Sequence, residues 1–550
     1  MAYRVREKFH DDLLTDLMHA RGVITPDDQS LFLDPDYLRD SHDPFLLPDM
    51  DKAVDRVLKA VKKNEKVCVW SDYDCDGVPG GVMLTDFLRT IGLTVRHYIP
   101  HRHKEGYGLN KQGLDQLAAE GTKLVITIDL GTTEIENIAY ANTLGLDVIV
   151  TDHHVVAGEV PAALALLNPK RPDSAYPFDG LCGAGVAWKL VQAILSKKRF
   201  SLADGQEKWY LDLVGLSTMA DMVPLVGENR MLARYGLVVM KRARRPGLAA
   251  LLSLMRIRPS SITEDDIGFM IAPRINAASR MDAPDLAAQL LATKDELAAR
   301  DLARQLQALN DERKILVATT VKEVNKRLED GGAEHDVIVM GNPNWRPGIL
   351  GLVANSLAEA HGKPVFLWGR EGGDLCRGSC RAGGASSVVA IMQGAADVFD
   401  HFGGHHASGG FSVTQDRVHE LGVRLNESFV AIAADLPPAP DTVVERVMAV
   451  SEISHAHRLL KQLAPFGVGN TKPLFMFSGV TVSRLKKFGK VADHLELGLD
   501  QNGASTVGIA FFSTPETFTK TPQVGEKADI VGSVETDWQG RPRLRIVDIV

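Results

Sequence analysis

Residues 66–77 read KVCVWSDYDCDG, a short and continuously apolar run that ends in three carboxylates, Asp72, Asp74 and Asp76, and then a glycine. An apolar run without alternation suits a strand buried on both faces, and such strands belong to parallel sheets covered by helices. The pattern repeats outward. A helical stretch through Leu88 leads to TVRHYIP (94–100), a helix near Gln112 to Ala119 leads to KLVITID (123–129), and a helix through Leu144 leads to DVIVTDHH (147–154). The expectation is an α/β fold around a parallel sheet, whose ligands sit at the carboxyl ends of the strands. Three of those ends carry acids or imidazoles: SDYDCDG at 71–77, IDLG at 128–131 and TDHH at 151–154.

Carboxylates as closely spaced as Asp72, Asp74 and Asp76 repel one another unless a cation neutralises them, and hard divalent cations favour oxygen ligands. A solvated acidic turn or a helix N-cap is the other reading of the same residues. A calcium loop is excluded, because its twelfth position falls on Met83 rather than on a glutamate. Asp129, and then Asp152, His153 and His154, end the following strands, and Asp221 in STMADMVPL is a further candidate. Several carboxylates with one or two imidazoles suit a pair of Mn²⁺ or Mg²⁺ ions, which lower the pKa of a shared water and clamp a phosphoryl oxygen.

The rest of the chain bounds this reading. At 550 residues and 45% hydrophobic content it can bury several cores, so three or four globular units are expected. The amino terminus lacks the pattern of a secretory signal, and no run is long enough for a membrane helix, so the expected location is the cytoplasm, away from membranes. Five scattered cysteines fit free thiols, with Cys376 and Cys380 read as packing residues rather than a zinc site. The net charge of −8 leaves any nucleic-acid binding to local basic surfaces.

Downstream, residues 183–270 look mainly helical, and 285–328 reads as one long charged helix connecting two cores. A second alternating unit spans 336–413, from DVIVMG to HFGGHHASGGFSV. The segment LPPAPD (436–441) reads as a linker, and the short alternating runs after it suggest a small β-barrel.

Together, DYDCDG, ITIDLG, TDHH and STMADMVPL resemble the four ordered motifs of the DHH phosphoesterases. LLNPKRPDSAYPFDGLCGAGVAWKL (166–190), APRINAASRM (272–281), NWRPGILGLVANSLAEAHGKPVFLW (344–368) and GSCRAGGASSVVAIM (378–392) are similar to the RecJ branch of that family. GGHHASGG (403–410) resembles the hallmark of the associated DHHA1 domain. The resemblance implies an N-terminal segment (1–45), a parallel-sheet DHH catalytic domain (46–284), the connecting helix (285–328), a smaller α/β DHHA1 domain (329–436) and an OB-like barrel (440–550).

By the same likeness, Asp74, Asp76, Asp129, His153 and Asp221 would hold two divalent ions, Mn²⁺ or Mg²⁺, with Asp129 shared between them and Asp72 an additional acid. His154 would face the scissile phosphate, and Asp152 would orient His153 by accepting its other ring N–H. Leu130 stands where the family usually has Asn, and Val78-Pro79-Gly80 replaces a Ser/Thr-rich stretch. Arg102, Arg280, Ser379 and Arg381 fall at positions that would bind the 5′ phosphate, with surface ion pairing the other reading of each arginine. His405 and its glycines would approach a nucleotide phosphate, while His406 reads as a core histidine. In the barrel, Arg484, Lys486, Lys487, Phe488 and Trp538 suit strand binding by charge and stacking, or else a solvated hairpin.

The activity implied is hydrolysis of single-stranded DNA from its 5′ end, releasing 5′-mononucleotides during DNA repair and recombination. The implied enzyme is a monomer, with a helicase and a single-strand-binding protein as partners. The rival readings are a DHH phosphodiesterase for short oligonucleotides or cyclic dinucleotides and a non-catalytic replication scaffold.

Overall fold

The structure is a computed structural model. It describes residues 3–102, 104–156, 158–332, 335–370, 375–434, 436, 441–489, 493–537 and 539–550. The chain divides into two compact units, one of residues 44–221 with 238–439, the other of 1–43, 222–237 and 440–550.

The first unit contains the expected parallel sheet. Its strand order is Thr94–Tyr98, Lys66–Ser71, Thr122–Ile128, Asp147–Thr151 and Ala165–Leu167, every pair parallel. The inner strands are buried along almost their whole length, as their unbroken apolar sequence requires. Cys68, Trp70, Val125 and Val150 pack on one face against Leu114, Leu117 and Ile138 from the helices Lys111–Ala119 and Ile135–Thr143. The helix Gly77–Thr90 lies against the strand Lys66–Ser71 and the helix Gly183–Lys197. Gly80 makes that approach possible, since a Cβ there would stand 2.8 Å from Ile128 Cγ2 and 3.0 Å from Ala184 Cα. The departure at residues 78–80 is therefore a packing feature, and Leu130 is fully buried in the core beneath the sheet.

The same unit holds a second, mixed sheet, ordered His401–Gly404, Ser408–Thr414, Leu375–Arg381, Val365–Gly369 and Ile338–Asn342, of which only the last pair is parallel. Cys376 and Cys380 are buried in its core, and all five cysteines are free and buried. The connector at 285–328 is not a single helix. Helices Pro284–Ala292 and Glu296–Arg327 are separate, because Asp295 takes an extended conformation and caps the second, accepting from Leu297 N (2.7 Å) and Ala298 N (2.9 Å).

The second unit is built on a barrel in which Phe475–Phe488, His494–Gln501, Ala504–Ala510, Pro542–Ile549 and Lys527–Thr536 follow one another and Phe475–Phe488 pairs back to Lys527–Thr536. The N-terminal segment is part of this unit rather than a piece of its own. Tyr3–Val5 pairs in parallel with Thr442–Val444, and Leu13, Leu17 and Met18 enter the barrel's core. Asp16 is fully buried there and accepts from Phe9 N, His10 N, Arg6 and Arg446. Residues 222–237, assigned by sequence to the catalytic domain, also belong here: Arg230 donates to the carbonyls of Phe32 (2.8 Å) and Leu463 (2.9 Å). Among the described residues, no helix is long and apolar enough to cross a membrane.

Candidate metal centre and phosphate cluster

The sheet's ladder runs one residue past the end of three strands, and each extra residue is an acid. Asp72 N donates to Ile128 O (3.1 Å), Asp129 N to Thr151 O (2.9 Å) and Asp152 N to Leu167 O (3.1 Å). Each carboxylate is thereby fixed at the carboxyl edge of the sheet. Asp129 adopts a left-handed backbone (φ 61°), uncommon for a residue with a Cβ. Gly183 makes room for it, since a Cβ at 183 would lie 2.5 Å from Asp129 Cβ.

Asp76 is held from the opposite side. Its Oδ2 accepts from Gly183 N (2.6 Å) and its Oδ1 from Ala184 N (2.9 Å), at the N-terminus of the helix Gly183–Lys197, where the helix dipole favours negative charge. Asp74 Oδ1 accepts from Asp76 N (2.8 Å) and Gly77 N (3.1 Å), closing the loop between strand and helix.

These elements gather the ligand atoms into three groups: Asp72, Asp74 and Asp129; Asp76, His153 and Asp221; and Asp129, His153 and His154. Within each group all atoms lie within 4.8 Å of one another. His153 Nε2 stands 3.1 Å from Asp129 Oδ1, 3.6 Å from Asp221 Oδ2 and 3.8 Å from Asp76 Oδ2. Asp72 Oδ1 and Asp129 Oδ1 are buried and, among the described residues, have no hydrogen-bond donor.

The electrostatics point the same way. Burial first, and then neighbouring acids, push Asp72, Asp129 and Asp221 well above the usual carboxylate range. Burial and Asp74 likewise push Asp76 up to about 6, against the pull of the two helix N–H groups. Clustered carboxylates without compensation are unfavourable, and divalent cations supply that compensation. Burial, then His154, lowers His153 to about 4, so its imidazole is neutral at pH 7, the form that coordinates metal. The orphaned oxygens and the donor set fit a pair of Mn²⁺ or Mg²⁺ ions.

Asp152 plays a different part from the one expected. Its Oδ1 accepts from the backbone N–H of His153 (2.7 Å) and from ring Nδ1 of His154 (2.7 Å), while Oδ2 accepts from Thr132 N (2.9 Å). The imidazole it orients is therefore that of His154, because the Asp152 side chain turns back along the loop. Burial would raise Asp152, but the bonds from His154 and Thr132 outweigh it and hold the group well below the usual range. The same bond to Asp152 raises His154.

Beside this centre the structure collects three of the predicted phosphate residues. The Arg102 guanidinium lies 4.8 Å from the centroid of Tyr73. Arg280 is anchored by Nη1 to Gly348 O (2.8 Å), and Arg381 by Nη1 to Cys380 O (2.7 Å), its side chain running across Gly351. Burial, and then Arg102, Arg313 and Arg381, destabilise the charge on Arg280, and among the described residues no carboxylate lies within ion-pair distance of it. Ser379 lies on the strand Leu375–Arg381, opposite Gly410 and Leu367. Arg274 is committed to Gln307 Oε1 (2.8 Å) and Met270 O (2.6 Å).

His405 is not gathered in. It sits at the exposed tip of the hairpin between His401–Gly404 and Ser408–Thr414, its N–H donating to Ser408 O (2.7 Å), and among the described residues no hydrogen bond or ion pair joins it to the arginines. His406 is exposed rather than a core histidine.

On the barrel, Lys486, Lys487 and Arg484 share one strand, but Arg484 is engaged with Glu496. Phe488 meets His494 edge-on at 5.1 Å and Phe511 at 6.4 Å. Trp538 lies outside the described residues. Sequence reading missed Phe511 and Phe512, which follow the strand Ala504–Ala510. Phe512 is 80% exposed beside His494 (4.8 Å), and Arg545 stands 5.1 Å from the ring of Phe511. The signal was the doubled aromatic in AFFS (510–513), at a strand end with no apolar partner run.

A parallel sheet edged by carboxylates and imidazoles, followed by a mixed sheet whose Arg381 lies near Arg102 and Arg280, defines a phosphoesterase of the DHH class. Residues 66–218 match the DHH family N-terminal domain, 334–431 the DHHA1 domain and 444–548 the RecJ OB domain. The chain is 33% identical over 544 residues to the single-stranded-DNA-specific exonuclease RecJ of Bacillus subtilis, spanning 98% of this chain and 67% of that one. It is 31% identical over 550 residues to the Escherichia coli enzyme of the same name, spanning 91% and 90%. The crystal structure of RecJ in complex with Mn²⁺ from Thermus thermophilus is similar with a TM-score of 0.80 at 26% identity, covering 100% of this chain and 79% of that one. An exonuclease RecJ bound to manganese gives 0.61 at 31% identity, covering 72% and 96%. The chain belongs to the RecJ family.

Proposed function

We propose that this chain is a metal-dependent exonuclease specific for single-stranded DNA, which works from the 5′ end, releases 5′-mononucleotides and serves DNA repair and recombination. The observation that carries the reading is Asp129: buried, held in a left-handed conformation, with an oxygen that has no hydrogen-bond donor among the described residues, and common to two of the three ligand groups.

In this reading Asp74, Asp76, Asp129, His153 and Asp221 hold two ions, with Asp72 as an additional acid. Divalent ions bound there would supply Lewis acidity to the phosphoryl oxygens and lower the pKa of water, so that hydroxide is available as the nucleophile. The protein contributes the rest. Asp152 fixes His154 through Nδ1, which leaves Nε2 as the ring atom for the scissile phosphate. Arg102, Arg280, Arg381 and Ser379 bind the terminal 5′ phosphate by charge and hydrogen bonds, and so set the polarity of digestion. On the barrel, Lys486, Lys487, Phe488 and the aromatic pair Phe511–Phe512 bind single strands by charge and stacking. The domains of this reading are the DHH and DHHA1 parts joined by the helices between 284 and 327, with the barrel as strand-binding part.

The enzyme of this reading is monomeric. It works in the cytoplasm on strands that a helicase opens and a single-strand-binding protein covers. Digestion of 5′- and 3′-labelled single and double strands tests it. Labelled mononucleotide is expected at once from the 5′ label and late from the 3′ label, on single strands only and only with Mn²⁺ or Mg²⁺ present. Attack at 3′ ends, or turnover in chelator, would contradict it.

A further inference from the structure

The long helix Glu296–Arg327 carries, along the side shared with Ser356 of the helix Pro347–His361, a cavity of about 830 Å³ that the proposed reaction leaves unused. That volume falls within the roughly 300–1,000 Å³ of small-ligand sites. Four cationic side chains line it, Arg313, Lys314, Lys322 and Lys326, and among the described residues none has a carboxylate within ion-pair distance. Val317, Ala318 and Val321 form an apolar wall between them, and Asn325 and Ser356 offer hydrogen-bonding groups. Glu329 and Asp330, three and four residues on from Lys326, also line it.

The cationic end is electrostatically unsatisfied. Arg313 Nε is buried without a hydrogen-bond partner, although Nη2 donates to Asn310 Oδ1 (2.9 Å). Burial first, and then Arg274, lower both Arg313 and Lys314, with Asp311 opposing at Lys314. Arg313 also acts electrostatically on Arg280, so the two guanidinium groups lie near one another.

We propose that this groove binds a nucleoside 5′-monophosphate, its phosphate on Arg313 and Lys314 and its base against Val317, Ala318 and Val321. A bare anion has no use for the apolar wall. A continuing strand would run its phosphates into Glu329 and Asp330, whereas one nucleotide ends before them. The ligand is of the class the proposed exonuclease releases, and only this identification as product rests on that reading.

The test is calorimetric titration of 2′-deoxyadenosine 5′-monophosphate into the full chain in chelator, carried in an Arg381→Ala background that disables the neighbouring phosphate cluster. Binding is expected in that background and should weaken at least tenfold on adding either Ala318→Trp, which fills the groove from an exposed position, or Lys314→Glu, which reverses a charge on the phosphate. No binding in the background chain, or equal binding in both double variants, overturns the proposal. So does inorganic phosphate binding as tightly as the nucleotide, which would mark an anion site only. A long single strand losing affinity as much as the nucleotide would mark a strand track and overturn it too. Nuclease activity of the unmutated chain is assayed in parallel, and its failure would remove the product identification while leaving the titration intact.

Discussion

Asp152 accepts a hydrogen bond from Nδ1 of His154 at 2.7 Å, while His153, one residue away, turns its Nε2 to Asp129 at 3.1 Å. Two adjacent histidines are thus divided between two tasks, one facing the acids and one steadied by a carboxylate that has no place in the ligand groups. Asp152→Asn removes the negative partner of His154 and keeps its size. Turnover is expected to fall about 10–100-fold, the scale of losing the carboxylate behind a metal-bound histidine, with strand affinity in a gel-shift assay unchanged. Unaltered turnover would show that His154 needs no support.

Gly183 touches both halves of the centre, because its N–H binds Asp76 and its Cα faces Asp129. Gly183→Ala is expected to lose nearly all nuclease activity and about 1–3 kcal/mol of stability through overpacking. Gly185→Ala is the control on the same helix, where the nearest atom to a new Cβ is 3.5 Å away. Thermal melts and assays of both variants check this, and equal behaviour would contradict the steric account.

Arg381→Ala is expected to lower kcat/KM on a 5′-phosphorylated strand by roughly 10–100-fold, in line with about 1.5–3 kcal/mol for a hydrogen bond to a charged group. A 5′-hydroxyl strand should suffer less. Parallel losses on the two substrates would remove the 5′-phosphate role.

Asp16 gives a pH dependence of stability. Burial acts to raise it, but the N–H groups of His10 and Phe9 and the Arg6 guanidinium outweigh burial and hold it at about 2. A carboxyl group lowered in the folded state stabilises above its unfolded value, near 3.9, and that stabilisation fades as pH falls toward 2. Asp16→Asn is expected to cost about 2 kcal/mol at pH 7, with the gap from the unmutated chain closing between pH 4 and pH 2. Denaturant unfolding at several pH values measures it, and a gap independent of pH would contradict the linkage.

Phe512→Ala should weaken binding of a long single strand by about 1–3 kcal/mol, the worth of one stacked base, and leave hydrolysis of a dinucleotide unchanged. Fluorescence anisotropy and a dinucleotide assay separate the two effects.

The parallel sheet is legible in the sequence because its strands are continuous apolar runs, which put Asp72, Asp129 and Asp152 at strand ends. Features that depend on direction or distance were not legible. Which histidine meets Asp152 depends on how one loop turns. The pairing of Tyr3–Val5 with Thr442–Val444 joins opposite ends of the chain and leaves no local pattern. The break before Glu296 was hidden because Asp295, a capping residue, looks like one more charge on a charged helix. Arg313 sits among other helical charges in the sequence, and only folding brings it near Arg280.

Asp129 is proposed to be shared between two divalent ions. Anomalous diffraction from crystals soaked in Mn²⁺ tests it directly. Two peaks are expected, with Asp129 a ligand to both and the remaining contacts divided among Asp74, Asp76, His153 and Asp221. A single peak, or two peaks of which only one contacts Asp129, would contradict the account.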